Sequence, residues 1–67
     1  MAVTPGDILK YEFLEELGLS QNQLGRDINV PAPHINMIVK GSRKISALMA
    51  LKLGKYFGTT PQFWMNL

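Results

Sequence analysis

Apolar positions recur along this chain at helical spacing, and capping residues and glycines divide them into five segments. Leu9, Phe13 and Leu17 follow one another at i+4 with Leu14 beside them, while Glu12, Glu15 and Glu16 fall on the other side. This predicts an amphipathic first helix. Thr4, then Pro5, then Asp7 supply an N-cap, a proline at the first helical position and an acid near the positive end of the helix dipole. Gly18 supplies the stop. The second segment opens on a Ser20/Gln23 capping-box pair, with Leu19 placed to staple onto Leu24. Leu24 and Ile28 mark its buried side, and Asn29 tolerates the left-handed backbone that a tight turn needs.

Val30-Pro31-Ala32-Pro33 opens the third helix. Proline is harmless in a first turn but disfavours helix in the residue before it, so the starting residue stays open. Ile35, Ile38 and Val39 form its narrow apolar stripe, Pro33, Asn36, Met37 and Lys40 form the opposite one, and Gly41 ends it. The fourth helix runs from an N-cap at Ser46 to Gly58. Met49, Leu53, Phe57, Ala50, Gly54, Ala47 and Leu51 fill a wide apolar arc, Lys52 and Lys55 are its only charges, and Leu48 is expected to be exposed. Thr60 with Pro61 behind it starts the last segment, which holds Phe63, Trp64 and Leu67.

Sixty-seven residues without an internal repeat or linker read as one domain, residues 1–67, of all-α class. A chain this small has a marginal core, and with no cysteine and one histidine neither disulfide nor zinc can staple it. Efficient helix packing or self-association remains. The longest apolar run, Ala47 to Leu51, is far below the ~20 residues of a bilayer span, and Met1-Ala2-Val3-Thr4-Pro5 lacks the basic start of a secretory leader. No membrane partner is expected, and the location is expected to be cytoplasmic. Charge changes the picture further: residues 1–27 carry a net −3, whereas residues 28–67 carry +5 and no acid. A purely cationic half points to a polyanionic partner.

Two short helices joined by a tight turn describe a helix-turn-helix at about residues 20–40. Leu24, Ile28, Val30, Ile35 and Ile38 occupy its buried places, Gly25 sits where the helices cross closely, and Asn29 sits at the turn. The chain resembles the HigA-type antitoxins of the Xre-like, lambda-repressor-like helix-turn-helix family. The resemblance runs through Pro5-Gly6-Asp7-Ile8-Leu9, Phe13-Leu14-Glu15, Leu17-Gly18-Leu19-Ser20-Gln21, Ile35-Asn36, Ile38-Val39-Lys40-Gly41 and, most distinctively, Gly58-Thr59-Thr60-Pro61-Gln62-Phe63-Trp64-Met65-Asn66-Leu67. It implies a five-helix, dimeric, operator-binding repressor that neutralises a HigB-type ribonuclease toxin and represses its own operon. It departs from the family at Leu48, where an acid is frequent, and at Gly25, where alanine is common. It also ends where the family usually continues, as a C-terminally truncated or a short form would.

By that resemblance the segment from roughly Ala32 to Lys40 enters the major groove of duplex DNA. Asn36 can pair bidentately with adenine, Ala32 and Met37 can touch a thymine methyl, and His34 can reach a base or a phosphate. Pro33, without an amide donor, contributes shape. No arginine occupies the stripe, so preference for A·T positions or readout of DNA shape is expected. Gln21 and Asn22 at the start of the second helix, with Lys40, Ser42, Arg43 and Lys44, are expected on phosphates. Phe63, Trp64 and Leu67 are expected in dimer or partner packing.

Competing chemistries fare poorly. His34 has no second histidine or cysteine to complete a metal site, and Glu15 and Glu16 point about 100° apart on a helix, so they cannot converge on one substrate. No nucleophile has a base at hand and no glycine-rich phosphate loop is present, so neither an enzyme nor a cofactor is expected. The rival reading is a protein-interaction module holding a toxin or regulator, with weak or no specific DNA binding; exposed Met37 and Leu48 would serve it. The two differ in ionic-strength dependence. If Lys40, Arg43 and Lys44 each neutralise one phosphate in both halves of a dimer, about six counterions are released. A plot of log affinity against log salt should then slope on the order of −5, and about half that for an independent protomer, as measured by fluorescence anisotropy titration.

Overall fold

Thr4 starts the first helix through a complete capping box: its Oγ1 accepts from the Asp7 amide at 3.1 Å, and its own amide donates to Asp7 Oδ2 at 3.2 Å. In the computed structural model, which describes residues 3–67, five helices follow one another: α1 (residues 5–17), α2 (Gln21–Ile28), α3 (Ala32–Lys40), α4 (Ala47–Phe57) and α5 (Pro61–Met65). Met1 and Ala2, part of the segment read above for a leader, lie outside the described residues. The remaining caps follow the same chemistry, with Ser20, Ser46 and Thr60 hydroxyls accepting from Gln23, Met49 and Phe63 amides at 3.0–3.1 Å. Gly18, Gly41 and Gly58 close α1, α3 and α4 in the left-handed conformation.

The first helix departs from the expected pattern. Its middle, Ile8–Leu14, is π-helical, and the Glu15 amide donates to the Lys10 carbonyl, five residues back. Each such turn holds one more residue than an α turn, so side chains five apart stack. Leu9 and Leu14 are therefore buried, Phe13 is half-buried, and Leu17, read above as part of the apolar face, is 63% exposed. A second correction falls on α4. Its buried stripe is Met49, Ala50, Leu53 and Gly54; Leu51, about 60° beyond Gly54 on the helical wheel, and Ala47 are exposed, as is Leu48.

The core joins Leu9 and Leu14 of α1, Leu24 and Ile28 of α2, Ile35 and Ile38 of α3, Met49, Ala50 and Leu53 of α4, and Trp64 of α5. Leu19 packs against it, as a staple residue should. Trp64 corrects the expectation of partner packing. It is 1% exposed, its ring lies 5.0 Å from Phe13 and 5.1 Å from Phe63, and its Nε1 donates to Thr59 Oγ1 at 2.9 Å. Its surface and its polar atom are both satisfied within one subunit. Phe63 and Leu67 remain exposed.

Two polar ties fix α2 against α4. Lys52 Nζ donates to the Ile28 carbonyl at 3.0 Å and reaches the Asn29 carbonyl at 3.5 Å, placing a cation at the negative end of α2. The Tyr56 hydroxyl donates to Asp27. That hydrogen bond, then desolvation, then the carboxylate's charge hold the Tyr56 hydroxyl protonated above its ordinary range.

The start of α1 lies directly on the end of α3. A Cβ built on Gly6 would stand 2.1 Å from the Ile38 carbonyl oxygen and 2.8 Å from that of Val39. Both obstacles are backbone, so neither can swing aside. Gly6→Ala should cost about 2–3 kcal/mol, read as a lowered urea midpoint at unchanged m-value.

Candidate nucleic-acid interface

The turn between α2 and α3 is built by backbone geometry. Asn29 takes φ 59° and ψ 49°, and among the described residues it alone is a non-glycine at positive φ. Its short polar side chain makes that conformation tolerable. The Val30 amide then donates back to the Gly25 carbonyl at 2.8 Å. Gly25 is buried against this loop, and a Cβ there would meet the Val30 carbonyl oxygen at 2.5 Å, so the sharp turn requires its missing side chain. Pro31 caps α3 at φ −58° and ψ 139°, which settles the starting residue as Ala32, with Pro33 within the first turn.

Helix α3 turns Ile35 and Ile38 into the core and leaves Pro33, Met37 and Lys40 exposed; Ala32, His34 and Asn36 are half-buried. Asn36 does not stand free, because its Nδ2 donates to Gln21 Oε1 at 3.1 Å. The expected base-reading residue and the first residue of α2 thus share one surface. Asn22, beside Gln21, is exposed. Beyond Lys40, Gly41 takes φ 83°, and Ser42 returns both its amide and its hydroxyl to the Met37 carbonyl, at 3.0 and 3.2 Å. The loop is folded back on the end of α3, and Ser42, Arg43 and Lys44 are all exposed there. No acid follows Asp27 in the chain, so the cationic loop has no acidic neighbour in sequence.

Three features were not read from the sequence. The Ser20/Gln23 capping box is half-formed: Gln23 Nε2 instead donates to Asp27 Oδ1 at 2.7 Å, and Arg26 donates to Gln23 Oε1 at 2.8 Å. Arg26, with Asn22 and Asn29, lines an open recess of about 370 Å³ at the turn. The spacing of Asn22 and Arg26, four apart on α2, was the available signal for that shared face. Lys52 caps α2 in addition to solubilising α4, and no local pattern announces a contact from twenty-four residues away. Among the described residues no three histidine, aspartate or glutamate side chains gather as metal ligands, and no helix is long and apolar enough to cross a membrane.

Five helices with this turn, this outward face and this basic loop define a helix-turn-helix protein, and the helix-turn-helix family profile matches residues 10–64. The chain is similar to the uncharacterized HTH-type transcriptional regulator YbaQ of Escherichia coli, at 44% identity over 96% of this chain and 57% of that protein. It is similar to antitoxin HigA-1 of Vibrio cholerae, at 34% identity over 97% of this chain and 61% of that protein. Among solved structures, the antitoxin HigA of Pseudomonas aeruginosa with the higBA promoter superposes with a TM-score of 0.94 at 50% identity, over 98% of this chain and 72% of that one. The chain belongs to the Xre-like helix-turn-helix family. It spans little more than half the length of the YbaQ regulator.

The turn itself is open to test. Asn29→Ala should lose about 1 kcal/mol in chemical denaturation, because a β-carbon without a local hydrogen-bonding group disfavours left-handed backbone. Asn29→Gly should lose much less.

Proposed function

We propose that the chain is a sequence-specific duplex-DNA-binding repressor, the antitoxin of a type II toxin–antitoxin pair, which binds its own operator and neutralises a HigB-type ribonuclease toxin. The Asn36–Gln21 hydrogen bond of 3.1 Å carries this reading, because it unites the outward face of α3 with the start of α2 in one surface. On that surface Ala32, Pro33, His34, Asn36 and Met37 meet base edges, while Gln21, Asn22, Lys40, Ser42, Arg43 and Lys44 hold phosphates on either side. The names of its relatives, transcriptional regulators and antitoxins, one of them solved with its promoter, support the same reading.

The rest of the proposal follows from kinship and size. Residues 1–67 act as one binding unit without catalysis or cofactor, in the cytoplasm. The chain works as a homodimer, with exposed Phe63 and Leu67 available for the contact between copies. A second reading, a module serving mainly protein contacts, is favoured by Leu48 and Leu51, which stand 62% and 42% exposed on one side of α4.

Charge reversal separates the two readings. Arg43→Glu combined with Lys44→Glu should lower affinity for the DNA upstream of the chain's own gene by about 100-fold or more at physiological salt, measured by electrophoretic mobility shift. Co-purification with the protein encoded next door should persist. Unchanged operator affinity would sink the DNA-binding reading and leave the interaction module.

A further inference from the structure

Leu48, the second residue of α4, and Leu17, the last of α1, are the most exposed leucines among the described residues. Neither is explained by its own helix. The first turn of a helix favours an acid, which the helix dipole attracts, and a leucine there gains nothing unless something covers it. Leu48 does not stand alone. On a 100° wheel Leu51, Lys55, Leu48 and Lys52 fill one continuous arc, on the side of α4 away from buried Met49, Ala50 and Leu53. Leu51 and Lys55 are exposed, whereas Lys52 is turned aside to the Ile28 carbonyl. The open part of the face is therefore two leucines and a cation.

The chain carries the complement of this face on another helix. Apart from Asp27, every acid of the chain lies in α1. Tyr11, Glu12, Glu15, Glu16 and Leu17 are all exposed there, and Lys10, the only cation of α1, turns its Nζ to the Tyr11 hydroxyl at 3.4 Å. Along α1 the acids come first and the leucine last; along α4 the leucines come first and Lys55 follows. An antiparallel pairing of the two helices brings Glu12 toward Lys55 and Leu17 toward Leu48.

We infer that the Leu48, Leu51 and Lys55 face of α4 binds the Glu12, Glu16 and Leu17 face of α1 on a second copy of this chain. The two faces differ, so the contact is head-to-tail, and a joined pair keeps one face of each kind open for further copies. It uses neither α3 nor Phe63 and Leu67, and it stands whether or not the chain binds DNA. Faces of about two helical turns bury less than the roughly 800 Å² per partner of a standard interface, so the contact is weak and concentration-dependent.

Sedimentation velocity of the full chain over a concentration series reads this contact. The weight-average mass of the wild type should climb with concentration. Leu48→Asp sets an acid against the acids of α1 and should weaken association by about tenfold. The same acid suits the start of α4, so the thermal midpoint of Leu48→Asp by circular dichroism should not fall below that of the wild type. Glu12→Gln combined with Glu16→Gln removes the attraction from the other side and should weaken association too. A mixture of the two variants tests the pairing itself. The Leu48→Asp chain retains its α1 face and the doubly neutralised chain retains its α4 face, so together they should regain the association that each lacks alone.

If the wild type and both variants show the same mass at every concentration up to about 1 mM, the α4 face belongs to a partner other than this chain and the inference is overturned. If each variant loses association but the mixture does not regain it, the two faces do not meet head to tail, and the inference is overturned as well.

Discussion

The position of α3 depends on two places where backbone approaches backbone with no room for a side chain. At its beginning, Gly25 of α2 lies so near the turn that a Cβ would stand 2.5 Å from the Val30 carbonyl oxygen and 3.4 Å from the Ala32 amide nitrogen. At its end, Gly6 of α1 presses on the Ile38 and Val39 carbonyls. Between these contacts Ile35 and Ile38 are inserted fully into the core. Protein interiors are dense and yield little, so a helix held at both ends and in the middle cannot rotate about its axis without breaking one of the three contacts. The outward display of Pro33, Met37 and Lys40 is a consequence of that clamp.

Charge is organised around the same frame. The split between an acidic first part and a cationic remainder does not map simply onto two surfaces. Asp27 accepts from Tyr56 and Gln23, and Lys52 covers the carbonyl end of α2, so these groups fasten α2 to its surroundings. Lys40, Arg43 and Lys44 stay exposed around the end of α3, where the return of Ser42 to the Met37 carbonyl holds the loop in place. Ties at the surface contribute less to stability than the burial of Trp64 or Leu53. Their effect is on geometry more than on stability.

A small chain without cysteine depends on close packing of its core. Trp64 serves as the hub, meeting Phe13 and Phe63 at ring distances near 5 Å with its indole nitrogen bonded to Thr59. The π-helical stretch of α1 belongs to the same solution. By adding a residue to each turn, it brings both Leu9 and Leu14 inward.

Except at the start of α3, where candidate residues around two prolines left the first turn open, helix starts were legible in the residues themselves, because caps and left-handed stops are local chemistry. Thr4, Ser20, Ser46 and Thr60 bond amides three residues ahead, and Asn29 and the glycines adopt backbone that other residues resist. The inner stripe of α3 and the small residue at position 25 were equally readable, since spacing alone places them. What no local pattern contains is which neighbour arrives at a given face. The burial of Trp64 within one subunit, the exposure of Leu17 and Leu51, the Lys52 cap on α2 and the joining of Gln21 to Asn36 were decided by tertiary packing. Each depends on the angle and register at which two helices meet. Those follow from the fit of whole surfaces, a quantity that periodicity along one strand of sequence does not hold.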